Sequence, residues 1–441
     1  MGAILNYMTM PPILIKNVNI IPMPGPRILY GYDVTIEGAR IKQILPSRKQ
    51  EGKKFAGRVI NGTGKFLIPG LFDMHVHLYS RTFLPLFLQY GITAIRETGN
   101  YKKEIFSLRD KVNSGKLLGP RMYICGPILE GDPPFWKGFR IVRNKKEGRA
   151  AVRELQRQEV DFIKVYGTLK PKVYEAVLEE AHKRNLKVTG HLPESINVMK
   201  AIKMGQDGFE HMSSMCRHVS KIVSVNANLK SYPGWRKFVD VKIDKRKLEK
   251  LGSLLEQNNI SLCPTLVVDR KMSQLADYPK LKQSKEARLL PKYYREIKWN
   301  PNHLKSSTNI NGRPPLYWEN FCLYYEKTRH ILPFLWKRSN ILAGSDTPNP
   351  FVIPGVSLLE ELELLVDSGL KPYQTLEAAT YNAALSLGVL PNLGTIEEGK
   401  IANLVLLEKN PLKNISNIRS IKGVILNGTY LSRKNLKKKK G

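Results

Sequence analysis

The sequence predicts an α/β fold: a (β/α)8 TIM-like barrel with a small β-sandwich domain built from both chain termini. Three observations carry that expectation. Apolar strand-like runs alternate with amphipathic helical stretches through the middle of the chain. Short strands between Gly, Pro and Asn breaks fill both ends. Polar, ligand-type residues fall repeatedly just after an apolar run and just before a turn.

Taken in order, residues 12–68 read as short strands: ILIKNVNII, DVTIEG, ARIKQIL and FAGRVINGTGKFLIPG. From about residue 69 the texture changes. GITAIRET leads to a basic helix-like stretch ending at Gly115, and PRMYICGPI is the next strand. EGRAAVRELQRQEV reads as a helix before the strand DFIKVYG. PKVYEAVLEEAHKRN is a helix before LKVTGHL, and INVMKAIKMG leads to QDGFEHM. SLCPTLVV, 261–268, reads as a strand, and SNILAGSDTP, 339–348, as the last one. VSLLEELELLVDSG and YQTLEAATYNAALSLG read as helices. After Gly388 the short strands return, in GTIEEGKIANLVLLE and IKGVILNGTYL. The expected division is 1–68 with 389–432 as the composite β-sandwich, 69–388 as the barrel, and 433–441 as a basic tail. Two segments, about 213–258 and 268–335, are longer than ordinary connections, and loops of that length tend to be lids or substrate-binding elements.

Composition narrows the function classes. Hydrophobic residues make up 42% of the 441, which fits a globular protein with a sizeable core. The four cysteines (Cys125, Cys216, Cys263, Cys322) show no paired spacing, which argues against a disulfide framework and against a cysteine zinc site. No apolar run reaches transmembrane length. The start MGAILNYMTM lacks a basic leader region, and Asn6 stands where a myristoylation motif wants Ser or Thr. The expected location is therefore cytoplasmic. Net charge is +33, a field that attracts anionic partners. No nucleic-acid-binding motif accompanies it, so a small-molecule substrate is expected rather than a specific nucleic acid. A homo-oligomer is compatible with the sequence.

The chemistry begins at GLFDMHVHLYS, 70–80. In a strand, residues i and i+2 share a face, so His75 and His77 project together. Two neutral imidazoles on one face suit a divalent metal. Further candidates sit at later strand ends: Lys164 in DFIKVYG, His191 in KVTGHLP, His211 in DGFEHMS and Asp346 in ILAGSDTP. In a (β/α)8 barrel the C-terminal strand ends converge on one mouth. Each residue has a plainer reading, such as a helix cap for Asp346. Lys164 is hardest to explain that way, because a buried lysine needs a partner.

These motifs resemble those of the amidohydrolase superfamily of metal-dependent hydrolases. PGLFDMHVHL is similar to its strand-1 signature, FIKVYG to the strand-4 lysine segment, VTGHLP and GFEHMSS to the strand-5 and strand-6 histidine segments, and LAGSDTPNP to the strand-8 aspartate segment. AATYNAALSLG with GTIEEGKIANLVLLEKNPL is similar to the C-terminal signature. The resemblance spans roughly residues 12–430 and is strongest to imidazolonepropionase-like members and Xaa-Pro dipeptidases. It implies two divalent metal ions, zinc above all. His75, His77 and Asp346 would hold the more buried ion, and His191 and His211 the second. Lys164, carboxylated by carbon dioxide to a carbamate, would bridge them. It further implies hydrolysis of an amide bond by a metal-bridging hydroxide, with Asp346 as the catalytic base and then acid. The same metals would also serve a lactonase or an organophosphate-type ester hydrolase. A reading from another class, a basic nucleic-acid- or membrane-binding protein with a relic site, rests on charge alone.

Substrate-side candidates are positional. Dipeptidase members carry Ala-Tyr after the strand-5 histidine, where this chain has Leu192 and Pro193. Tyr166 shares the strand face of Lys164 and is a candidate substitute. Arg96 is a candidate carboxylate clamp, with Glu97 and Asp73 as alternative partners. His303, in NPNH of the long insertion, is a third candidate. Phe135 and Trp136 in GDPPFWKG are candidate pocket walls.

Overall fold

The structure, a computed structural model, describes residues 11–50, 55–136, 138–225, 238–304 and 316–438. It is an α/β protein.

Both chain ends contribute to one sheet. Among the described residues, eight strands join there: Ile13–Ile20, Leu29–Glu37, Arg40–Pro46, Arg58–Asn61, Phe66–Pro69, Leu404–Leu407, Ile421–Leu426 and Thr429–Ser432. The junction is the antiparallel pairing of Leu404–Leu407 with Phe66–Pro69, in register from Leu404 opposite Pro69 to Leu407 opposite Phe66. One face of this sheet carries its own apolar core, including Ile15, Val18, Ile20, Val34, Leu404 and Ile425. Alternation along Ile13–Ile20 and Leu29–Glu37 supplies that face, as expected of half-buried strands.

The middle of the chain builds parallel ladders. Leu71–Val76, Ile92–Glu97 and Arg121–Ile124 pair in that order. Phe162–Val165 pairs with Leu129–Glu130 on one side and Lys187–Gly190 on the other. Gly208–Glu210, Ser261–Cys263 and Asn340–Ile341 form the third set. Backbone bonds link the sets. Asp161 N donates to Ile124 O at 2.8 Å, Asp207 N to Val188 O at 2.9 Å, and Met74 N to Ala343 O at 2.9 Å. The last of these returns to the first strand of the series. Leu71–Val76 and Ile92–Glu97 are buried at every position, as strands covered on both faces must be.

Helices between the strands follow from local sequence. In Lys145–Arg157 the side chain of Asn144 caps the N-terminus by accepting from Glu147 N, which relieves one of the helix's unpaired amides. Ala151, Val152 and Leu155 recur at helical spacing and are buried. A Cβ on Gly148 would stand 3.1 Å from Val177 of the next helix, Pro171–His182, so glycine permits the close packing of that pair.

Two sequence expectations need revision. Only Ser261–Cys263 of SLCPTLVV is strand, because the chain turns left-handed at Thr265 (φ 51°) and Leu266–Ser273 is helix. Among the described residues, the long connections carry helices and strands of their own. The first holds the helices Ser213–Val219 and Lys245–Gln257 and an antiparallel pair, Ser220–Val225 with Phe238–Ile243. The second includes Tyr278–Gln283 and the 21-residue helix Leu316–Trp336. Trp299, fully buried against Tyr294 and Phe351, anchors it. The basic tail begins as the helix Arg433–Lys438. There Leu436 is buried and its carbonyl accepts from Gln89 Nε2 at 2.9 Å. Residues 439–441 lie outside the described residues.

Candidate metal centre

The six ligand-type residues picked out by sequence meet at one end of the parallel strands. Asp346 Oδ1 lies 3.4 Å from His75 Nε2 and 3.4 Å from His77 Nε2. Asp346 Oδ2 lies 3.8 Å from His211 Nε2. Lys164 Nζ is 3.3 Å from His75 Nε2. The ring centroids of His75 and His211 are 4.9 Å apart, as are those of His191 and His211.

Backbone geometry brings them there. His75 and His77 lie two residues apart, at and just beyond the end of Leu71–Val76. His211 and Asp346 adopt left-handed backbone conformations (φ 62° and 59°), which non-glycine residues seldom adopt and which cluster at functional sites. The turn at His211 explains how adjacent residues Glu210 and His211 both reach the same centre.

Hydrogen bonds fix which nitrogen each ring presents. His75 Nδ1 donates to Glu210 Oε2 at 2.7 Å, and His77 Nδ1 donates to the Gly99 carbonyl at 3.0 Å. Both acceptors lack a proton to give, so the Nε2 lone pairs of these neutral rings face inward. His211 Nδ1 lies 2.6 Å from Thr265 Oγ1, leaving Nε2 toward Asp346. Burial, reinforced by the Lys164 ammonium, lowers His77 to about 3 and His211 to about 4, and holds His75 well below the usual imidazole range. Burial also keeps His191 neutral.

The donor set fits a cation. The Nε2 atoms of His75, His77 and His211 and the Asp346 carboxylate converge there, with the Lys164 amine beside His75 Nε2. Among the described residues, the buried Asp346 Oδ1 and His191 Nδ1 have no hydrogen-bond partner, a costly arrangement for polar atoms out of water. Imidazole nitrogen and carboxylate oxygen are the ligand types zinc accepts. Burial lifts Asp346 to about 7 against the opposing pull of Lys164. Lys164 is 1% exposed, and burial lowers its pKa despite the nearby Glu210 and Asp346 carboxylates.

A second layer was not foreseen from sequence. Glu210, 2% exposed, accepts from His75 Nδ1, from Arg96 Nη2 at 2.7 Å and from Thr189 Oγ1 at 2.7 Å. Burial opposes its charge, but Arg96 and His75 outweigh it and hold the carboxyl well below the usual range. Arg96 also donates from Nε to the Met74 carbonyl at 2.6 Å. Its guanidinium therefore sits beneath the histidines, bound to Glu210, rather than paired with Glu97 or Asp73. Asp73 instead accepts from Ser345 N and Oγ. The signal available in the sequence was the Glu-His pair itself, two adjacent polar residues at a strand end. The other substrate-side candidates divide. Tyr166 packs on His191 with centroids 3.9 Å apart. His303 sits half-buried in the turn after Tyr294–Lys298, its N–H donated to Asn300 O, and the cluster is assembled without it.

The model of the amidohydrolase family matches residues 66–431, and the chain belongs to that family. An ochratoxinase from Aspergillus niger is 24% identical over 379 residues, which cover 76% of this chain and 64% of that protein. The chain thus spans less than two thirds of the length of that relative. Among solved structures, the bottromycin amidohydrolase AH superimposes with a TM-score of 0.77 at 19% identity, covering 99% of this chain and 90% of that one. A Xaa-Pro dipeptidase with methionine bound in its active site gives 0.69 at 20% identity, over 96% of this chain and 100% of that one. At these identities the likeness is one of fold.

Proposed function

We propose that the chain is a binuclear metal-dependent hydrolase that cleaves an amide bond in a small-molecule substrate. The observation that carries this reading is the convergence of four neutral imidazoles, a buried lysine and Asp346 at one end of the parallel strands. We read those strands as a closed (β/α)8 barrel over 69–388. The backbone bond from Met74 to Ala343 supports closure. We read 1–68 with 389–432 as the composite β-sandwich, supported by the pairing of Phe66–Pro69 with Leu404–Leu407 and the separate apolar core.

His75, His77 and Asp346 would hold one divalent ion, and His191 and His211 the second. Zinc suits these ligands. Two such ions supply Lewis acidity and an activated water at neutral pH. Lys164 would join both sites as a carbamate. Its burial favours the neutral amine, which is the form that reacts with carbon dioxide, and the product offers anionic oxygens where an ammonium offers none. Glu210 fixes the tautomer and orientation of His75, and the Gly99 carbonyl does the same for His77. Such outer hydrogen bonds raise ligand basicity. Asp346 takes the proton of the attacking water and returns it to the leaving nitrogen.

The test is metal content per chain by mass spectrometry, on protein grown with zinc and purified without chelator, followed by a screen of dipeptides, N-acyl amino acids and cyclic amides. About two ions per chain is the expected value for a two-metal site, with hydrolysis of at least one amide class. A folded chain that holds no metal would sink the proposal.

A further inference from the structure

Exposed aromatic residues lie in the segments that follow the parallel strands, and two of them, Tyr79 and Phe135, lead by ring contacts to the candidate centre. Tyr79, Tyr101, Phe135, Trp136 and Tyr293 are large and exposed. Each lies in a segment that follows a parallel strand or in the insertion after Ser261–Cys263. Water-facing rings are a poor use of apolar surface unless something covers them.

One of them, Phe135, continues a wall of rings that starts at His191. Tyr166 packs on His191 at 3.9 Å between centroids. Phe139 meets Tyr166 edge to face at 5.2 Å and 65°, and Phe135 meets it at 5.7 Å and 64°. The wall thus runs from a proposed metal ligand outward to the exposed ring of Phe135, with Trp136 next to it in sequence and also exposed.

Its loop is held in place. Glu130 Oε1 accepts from Thr168 N and Thr168 Oγ1, both at 2.8 Å, and from Gly131 N at 3.1 Å. Arg143 Nε donates to Asp132 Oδ2 at 2.9 Å. At Gly138 (φ 96°) a Cβ would stand 2.7 Å from the Tyr101 ring, so only glycine lets the loop close on that tyrosine. Tyr166, packed between His191 and Phe139, is preorganised for binding, because little side-chain freedom is left to lose.

We infer that this wall is a subsite for a flat aromatic group carried by the substrate amide. The inference rests on the proposed function, since it names the substrate class of that same site. Offset or edge-to-face contact with rings already arranged that way favours an aromatic ring over the methyl of an acetyl group.

The experiment compares benzohydroxamate with acetohydroxamate, two chelating probes, by calorimetric titration of the zinc-loaded full chain. Benzohydroxamate should bind about 10-fold more tightly. In a Phe135→Ala/Trp136→Ala double variant the ratio should fall to about twofold or less, while Tyr30→Ala, an exposed residue of the terminal sheet, keeps it. In parallel, benzamide and acetamide, which need no metal, are titrated into chelator-treated protein by saturation-transfer NMR. Benzamide should show contact that the double variant loses. Equal affinity of the two hydroxamates, or a ratio that survives the double substitution, overturns the subsite while leaving the metal reading intact. If neither hydroxamate binds but benzamide contacts Phe135 and Trp136, the subsite stands and the metal reading falls. If benzamide also fails to bind, the subsite is overturned with it.

Discussion

At the scale of single residues, the centre depends on groups that hold the ligands as much as on the ligands. Lys164→Ala removes the proposed bridge and should lose most bound zinc, and small carboxylic acids should restore part of it by supplying the missing oxygens. Zinc retention at the wild-type level would exclude a bridging Lys164. Glu210→Gln leaves His75 an acceptor but takes away the charge facing Arg96 at 2.7 Å. Loss of such an outer partner typically weakens metal affinity about 10–100-fold, and the buried guanidinium left unpaired should lower the melting temperature as well. Chelator competition and thermal unfolding read the two effects separately. The sequence pointed to His75, His77, Lys164, His191, His211 and Asp346 because each follows an apolar run and precedes a turn. It did not point to Glu210, Thr265 or Thr189, whose roles arise only when strands distant in sequence lie side by side. Arg96 shows the same limit: its strand end was legible, but its partner lies 114 residues away.

At the scale of elements, helix Leu266–Ser273 begins on a residue with no side-chain cap of its own. Glu361, from helix Val356–Asp367, replaces the cap by accepting from Leu266 N at 3.0 Å and Val267 N at 2.7 Å. Burial raises Glu361 to about 8, although those two amides pull the other way. The folded chain then holds this proton over a range where the unfolded chain, near 4.5, has released it. Stability contributed here falls as pH rises from the unfolded to the folded value, and levels off above about 8. Glu361→Gln, which cannot titrate and keeps one oxygen to accept from the two amides, should flatten that slope in denaturant unfolding measured at about pH 5 and about pH 8, at some cost in stability at both. An unchanged slope would place the pH sensitivity elsewhere. The tail offers a second test. Deleting 433–441 removes buried Leu436 and should cost about 1.5–3 kcal/mol, whereas deleting only 439–441 should leave stability unchanged within about 0.5 kcal/mol. Most helices between strands were legible from their amphipathic pattern. The end of SLCPTLVV was not, because Leu266, Val267 and Val268 are apolar enough for a strand, and only the left-handed Thr265 redirects them into a helix.

At the scale of the whole molecule, a net charge of +33 works against compaction through self-repulsion. Salt shortens the reach of that repulsion, from a Debye length of about 10 Å at 0.1 M to about 3 Å at 1 M. The melting temperature should therefore rise between about 0.05 and about 0.5 M sodium chloride, and a fall would mean that specific ion pairs outweigh the general field. The sheet shared by both ends has a further consequence, for synthesis on the ribosome. Strand Phe66–Pro69 emerges early, but its antiparallel neighbour Leu404–Leu407 is made roughly 335 residues later. At about 5–20 residues per second, that edge waits on the order of 20–70 s with its amides unpaired. During that interval the nascent chain offers a sticky strand to any other chain within reach, so the yield of native protein should depend on translation speed and on holding chaperones.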